Sequence, residues 1–434
     1  MMKKPSPTYA AAARAFGRSG RAALALLALA AAGALPALGT EPAAVSAVAS
    51  HVETRGEQTR LIFDMTGAVQ AKARLVADPA RIIVDLPEVA FRIDPSQGRA
   101  PAASKLIKSY RYGQFAPGRA RVVVDLAAPA AILRAESEPM REGARLVIEL
   151  APSDAAAFAA AAARSAAAAP FEPGFVTPPG APASPAPTPP SDRPVVVIDP
   201  GHGGVDMGAS GKHGEQEKAI VFDFARALQA KIEAGGRLRV VMTRNEDVFL
   251  PLNERVRIAR SNNAALFLSI HADTLAEEHV EGATVYTVSA KASDAEAARI
   301  AEKENLADQA AGLERPEDAA EVGDILFDLT QRETHAFSRK FSRELIARWK
   351  EAGSLNKNPA RAAGFVVLKA YDVPSVLLEL GYLSSDKDLA RLTSPEWRDQ
   401  AAGKTAEAIE AFFAARSREA RAPQTPAAAG PRPQ

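Results

Sequence analysis

Cysteine is absent from this chain of 434 residues. That excludes a disulfide framework and any thiolate metal site, so a metal centre here has only nitrogen and oxygen donors to draw on. An excess of either charge is lacking too: 53 Lys and Arg against 52 Asp and Glu leave a formal net charge of +1. So even a balance gives no electrostatic case for nucleic acid or for a strongly anionic surface. Long apolar runs are also missing. The amino-terminal apolar stretch, residues 22–35, falls short of the roughly 20 residues that span a bilayer. It follows Lys3, Lys4, Arg14, Arg18 and Arg21 and precedes small residues at Ala37 and Gly39. That order of basic, apolar and small segments reads as a secretory signal peptide over residues 1–39, cleaved after Gly39. No adjacent arginine pair precedes it, so a twin-arginine route is not indicated, and no transmembrane segment is expected in the mature chain.

The length exceeds the roughly 250 to 300 residues at which a single core stops growing, so two domains are expected. Residues 45–150 carry a repeated phrase: Arg60-Leu61-Ile62-Phe63-Asp64, Arg81-Ile82-Ile83-Val84-Asp85, Arg121-Val122-Val123-Val124-Asp125 and Arg145-Leu146-Val147-Ile148-Glu149. Each couples a base, an apolar β-prone run and an acid, and turn residues lie between them, which predicts a separate small all-β domain of two similar halves. The flanking charges read as solvated edge residues, so the phrase speaks for fold and not for a binding site. Residues 151–193 turn to Ala and Pro and predict an extended tether between independently moving halves. A disordered tail is expected over residues 417–434.

Residues 194–416 alternate strand and helix patterns, which predicts an α/β domain with a mostly parallel sheet covered by helices. Strands are expected at 195–199, 238–243, 265–270, 283–288, 364–368 and 376–380, and the last long helix at 401–413. Two of these strands run into histidines, at His202 and His271. The carboxyl ends of central strands in an open sheet form a common ligand crevice, so the two imidazoles can converge, which suggests a metal. Glu217 opens an amphipathic run with Ile220, Phe224, Leu228 and Ile232 and is a candidate third ligand, though a carboxylate in a first helical turn also suits the helix dipole. Glu379 interrupts the apolar run Val376-Leu377-Leu378-Glu379-Leu380, a costly place for a carboxylate without a partner or a task. Taken singly, each of these residues also has a structural reading. Asp199 either orients His202 or caps the strand end, and His213 reads as a solvated loop residue.

The segments Ile198-Asp199-Pro200-Gly201-His202-Gly203-Gly204, Gly214-Glu215-Gln216-Glu217-Lys218, Ser269-Ile270-His271-Ala272-Asp273 and Leu378-Glu379-Leu380-Gly381-Tyr382 resemble, in order, those of zinc-dependent N-acetylmuramoyl-L-alanine amidases of the bacterial cell-separation type. The resemblance implies Zn2+ held by His202, Glu217 and His271, with Glu379 as the catalytic carboxylate. Departures at Ala265, Thr274 and Ser385 touch none of these four. The β domain resembles the AMIN domain, a module associated with envelope targeting and peptidoglycan binding.

The implied function is a periplasmic peptidoglycan hydrolase that cuts between N-acetylmuramic acid and the L-alanine of the stem peptide in wall remodelling and daughter-cell separation. A zinc peptidase on wall peptides and a non-catalytic peptidoglycan-binding protein are the competing readings. Residues 293–353 form a charged helical insertion far longer than a crossover needs. In division-type amidases such an insertion blocks the active site until an activator protein displaces it. A carboxylate is the natural group to fill the open zinc position. Glu304 is the candidate plug and Glu302 its equally placed rival.

Overall fold

The computed structural model describes residues 45–93, 104–168, 193–313 and 325–421. The expected signal peptide lies outside them, as do residues 169–192 of the linker and 422–434 of the tail. No helix among the described residues is long and apolar enough to cross a membrane.

The β domain contains β1 (Val45–Arg55), β2 (Gln58–Met65), β3 (Lys72–Val76), β4 (Arg81–Pro87), β5 (Val89–Phe91), β6 (Ile107–Ala116), β7 (Arg119–Leu126), β8 (Ala130–Pro139) and β9 (Ala144–Pro152). They form two sheets, β5-β1-β2-β9-β8 and β3-β4-β7-β6. The repeated phrase sits on β2, β9, β4 and β7. Antiparallel pairing reverses one copy against the other, so the base of each meets the acid of its partner. Arg60 lies opposite Glu149 and Asp64 opposite Arg145 in the first sheet; Arg81 lies opposite Asp125 and Asp85 opposite Arg121 in the second. All four pairs close at 2.7–2.8 Å. The flanking charges are therefore cross-strand ion pairs rather than solvated edges. Between them the strands alternate: Leu61, Phe63, Ile82, Val84, Val122, Val124, Leu146 and Ile148 share the core between the sheets, as a period of two requires.

The Ala-rich start of the expected tether is instead a helix, α1 (Ala155–Ala168). Asp154 Oδ1 accepts from Ala157 N at 2.8 Å as the N-cap, and Phe158 and Ala162 enter the β-domain core. Low side-chain variety hid two helix signals, the cap and alanine's propensity. Nor are the halves independent. Gln114 O at the end of β6 accepts from Val205 N and Phe249 N, at 3.1 and 3.3 Å, and Phe115 stacks on Phe249 with ring centroids 5.7 Å apart. The backbones come so close that a Cβ on Gly113 would lie 2.3 Å from the Gly204 carbonyl carbon.

The second domain has β10 (Val195–Pro200), α2 (Glu217–Ala234), β11 (Arg239–Met242), α3 (Leu252–Ser261), β12 (Leu266–His271), β13 (Ala283–Val288), α4 (Ala295–Glu304), α5 (Ala307–Ala310), α6 (Ile325–Trp349), β14 (Leu355–Ala363), β15 (Ser375–Glu379), α7 (Asp386–Leu392) and α8 (Pro395–Arg421). The sheet runs β11-β10-β12-β15-β13-β14. Only β13 against β15 is antiparallel. Alternate residues of the central strands face opposite layers: Val196, Leu268 and Val376 pack with α2, α6 and α8, whereas Val197, Phe267 and Leu377 pack with α3 and α4.

Three expectations shift. The strand expected at 364–368 is a 3-10 turn at Val366–Leu368, and the edge strand is β14 before it; Pro359 is tolerated there because an edge strand need not donate on both sides. Residues 417–421 continue α8 instead of opening a tail. Among the described residues of 293–353, α4, α5 and α6 are helices, yet α6 is not an insertion: its Phe341, Leu345 and Trp349 are fully buried in the main core. Trp349 Nε1 also donates to Thr405 Oγ1 at 3.0 Å. Trp349→Ala is accordingly expected to cost roughly 3–5 kcal/mol in denaturant unfolding of the full chain. A loss below about 1 kcal/mol, the size of a typical surface effect, would return α6 to the periphery.

Candidate active site

Three strand ends carry the site. β10 leads into the turn holding His202, β12 ends on His271 and β15 ends on Glu379, with His271 and Glu379 directly opposite each other in the sheet. His202 has φ +57°, an uncommon left-handed conformation for a residue with a Cβ. A buried network holds it there: Arg255 donates to the carbonyls of Leu250, Pro200 and His202 at 2.9–3.0 Å. Asp199 fixes Arg255 at 2.9 Å and also accepts from Thr243 Oγ1 and Ser269 Oγ. The Asp199 carboxyl is pulled below its usual range because Arg255 and the two hydroxyls outweigh its burial. Gly201 leaves room for the second imidazole, since a Cβ there would lie 2.5 Å from His271 Cε1.

The sequence-derived candidates come together. His202 Nε2 lies 3.1 Å from Glu217 Oε2, and His271 Nδ1 lies 3.2 Å from Glu217 Oε1. Glu217, the first residue of α2, is fully buried, and its oxygens accept from Ala209 N and Ala272 N at 2.8 and 2.9 Å. Glu304, at the end of α4, reaches the same point, with Oε2 3.0 Å from His271 Nδ1 and 3.4 Å from His202 Nε2. Glu302 is exposed. His213 is exposed as well, as expected of a solvated loop residue.

The donor atoms of His202, Glu217, His271 and Glu304 lie within 4.8 Å of one another, all buried. His202 Nε2 and His271 Nδ1 have no hydrogen-bond partner. Buried ring nitrogens without a hydrogen-bond partner, aimed at carboxylate oxygens, fit a divalent cation bound through nitrogen and oxygen. Burial lowers the His271 imidazole, but Glu304 and Glu217 outweigh it and lift it to about 10. His202 is held well above its ordinary range by Glu217, Asp206 and Glu304, again against burial.

Glu379 is fully buried; Oε1 accepts from Asp273 N, and Oε2 has no hydrogen-bond partner. Burial, then the charges of Glu217 and Asp273, push its carboxyl well above the usual carboxylate range. A carboxyl so raised keeps its proton more readily than an ordinary one, a property that suits general acid-base chemistry.

Sequence reasoning missed two supports. Asp206, not Asp199, orients His202: its Oδ2 lies 2.9 Å from Nδ1, leaving Nε2 for the site. A carboxylate four residues after the histidine was the available signal. Arg255 stands on the Leu252-Val256-Ala259 stripe of α3, and a cation on an apolar helix face could have marked it.

Compared with known proteins, residues 196–411 match the N-acetylmuramoyl-L-alanine amidase family and residues 51–150 match the AMIN domain. The chain is 34% identical over 383 residues to the N-acetylmuramoyl-L-alanine amidase AmiC of Escherichia coli O6:H1, covering 86% of this chain and 91% of that protein. It is 31% identical over 369 residues to AmiC of Neisseria meningitidis serogroup B, covering 82% and 87%. Among solved structures, AmiC2 of Nostoc punctiforme aligns at 28% identity with a TM-score of 0.36, covering 52% of this chain and 99% of that one. The chain thus belongs to the N-acetylmuramoyl-L-alanine amidase family, with an AMIN domain ahead of its amidase domain.

Proposed function

We propose that this amidase is a zinc enzyme of the periplasm that hydrolyses the bond between the lactyl group of N-acetylmuramic acid and the first L-alanine of the stem peptide, and so separates daughter cells. The observation that carries the reading is the convergence of two partnerless imidazole nitrogens on Glu217, with the buried Glu379 alongside. His202, Glu217 and His271 would hold the ion. Zinc, when bound, supplies Lewis acidity at the scissile carbonyl and lowers the pKa of water to roughly 7. Glu379 takes the proton from the attacking water and returns it to the leaving amine, and Asp206 keeps the His202 ring turned inward.

Glu304 acts as a plug in this reading. Its carboxylate occupies the position that water and substrate need, and Lys303 beside it pairs with the buried Asp273. An activator protein that prefers the displaced helix would then work by population shift. A non-catalytic wall-binding role leaves the buried Glu379 without a task, which weighs against it.

Digestion of purified peptidoglycan followed by mass spectrometry tests the reaction. Free stem peptides with intact glycan are expected; shortened peptides still on glycan would mean a peptidase, and no release with an activator present would mean a binding protein. The site is tested residue by residue. His202→Ala, Glu217→Ala and His271→Ala should each lose bound metal and activity. Glu379→Ala should keep the metal and lose about 100- to 10,000-fold in rate. Stoichiometric zinc in the His271→Ala protein by elemental analysis would refute the ligand set.

The plug is better tested by point substitution than by deleting the insertion, since α6 is core. Glu304→Ala is expected to raise basal hydrolysis about tenfold or more, equivalent to ~1.4 kcal/mol of lost blocking contact. An unchanged or lower rate, with zinc still bound, would make the α4 segment a scaffold and not a gate.

A further inference from the structure

The AMIN sheet β3-β4-β7-β6 presents a row of arginines to the segment that follows Glu304. Arg81 of β4 donates to Gln309 O and Arg111 of β6 to Ala310 O. Arg121 of β7 donates to Ala311 O at 2.9 Å, and Arg74 of β3 to Gly312 O at 2.9 Å. Four strands thus contribute one arginine each to four consecutive carbonyls. These residues share one face of the sheet because strand pairing aligns Arg74, Ile83, Val123 and Arg111 across it, with Arg121 and Arg81 two residues from that line. Ile83, Val123 and Phe115 form the apolar centre of this face and pack on Ala311, Val205 and Phe249.

The groups engaged are the carbonyls of the last two residues of α5 and of the two residues that follow; Gln309 O also accepts from Gly312 N at 2.8 Å. Arginine side chains suit such chain-end carbonyls as donors. On the other side, the same short segment is tied to the amidase domain: Asp308 Oδ1 accepts from Leu252 N at 3.0 Å, and Asn305 bonds Gly364 O and Val366 N. Only four residues separate Glu304 from Gln309, so the segment cannot carry the plug far while its carbonyls stay on the arginines. Opening strips Arg121 of its carbonyl partner, and the Arg121 side chain is fully buried. Asp85 stays paired with it, so what opposes opening is the lost hydrogen bond together with the lost apolar contact of Ala311.

Resting on the reading of Glu304 as a plug, we propose that the AMIN domain is a lock on the gate: its arginine row holds residues 309–312 and thereby favours the blocked state of the active site. Linkage makes the coupling reciprocal. Whatever draws this face of the AMIN sheet away favours the open site, and an open site loosens the AMIN domain. The domain is then a regulator as well as a targeting module.

The other sheet supplies a control arginine, since Arg145 makes a cross-strand pair there with Asp64. In the zinc-loaded full chain, Arg74→Ala combined with Arg111→Ala is expected to speed amide hydrogen exchange over residues 295–313 and to raise basal peptidoglycan hydrolysis at least about threefold, while Arg145→Ala leaves both unchanged. Circular dichroism and thermal melting establish that the variants fold, and Arg111→Lys, which keeps a donor, should restore much of the protection should the double substitution prove unstable. Added to Glu304→Ala, the arginine substitutions should speed exchange with no further gain in rate. Unchanged exchange over 295–313 in a folded variant overturns the lock whatever Glu304 does. Faster exchange with unchanged hydrolysis, where Glu304→Ala alone does activate, overturns the coupling and leaves the plug standing.

Discussion

The structure turns on an excess of buried negative charge around two imidazoles. Glu217, Glu304, Glu379, Asp206 and Asp273 converge on His202 and His271, and each is nearly or wholly withdrawn from solvent. Carboxylates are buried at this density only where cations, protons or hydrogen bonds offset the loss of hydration. Glu304 faces both imidazoles, and each of the other four has its own solution. Asp206 is offset by the His202 ring, Glu217 by both imidazoles and two backbone amides, and Asp273 by Lys303. Glu379 is offset by retaining its proton more readily. What remains is two imidazole nitrogens and two carboxylates facing one point, and that donor set is the chemical argument for a cation.

The rest of the amidase domain serves this arrangement. Three parallel strands place the functional residues at their carboxyl ends, and the buried Asp199–Arg255 pair, one layer beneath, holds the His202 turn in its left-handed conformation by gripping its carbonyls. Their contribution is to keep the two imidazoles at a fixed separation, as the proposed metal site would require.

Much of this was legible in the sequence, and the reasons are local. A strand running into the His202 turn, a strand ending on His271, a helix beginning on Glu217 and a carboxylate breaking an apolar strand are signals that a period of two or 3.6 exposes directly. What stayed hidden depended on pairing. Arg81 and Asp125 are 44 residues apart, and only the antiparallel register shows that the base of one repeat meets the acid of another. The contact of the AMIN sheet with residues 309–312 was equally invisible, because arginine bonding to backbone carbonyls leaves no complementary side chain to read. The Ala-Pro composition, meanwhile, suggested freedom between halves that in fact share a packed interface through Phe115 and Phe249.

The central claim is that two imidazoles and Glu217 hold zinc while Glu304 closes its remaining position. X-ray absorption at the zinc edge on the full chain as purified addresses this most directly. The account predicts stoichiometric zinc whose spectrum shows two imidazoles and carboxylate oxygens at roughly 2.0–2.2 Å, and a changed oxygen shell in the Glu304→Ala protein. A zinc with fewer than two imidazoles, or a spectrum indifferent to Glu304, would contradict it.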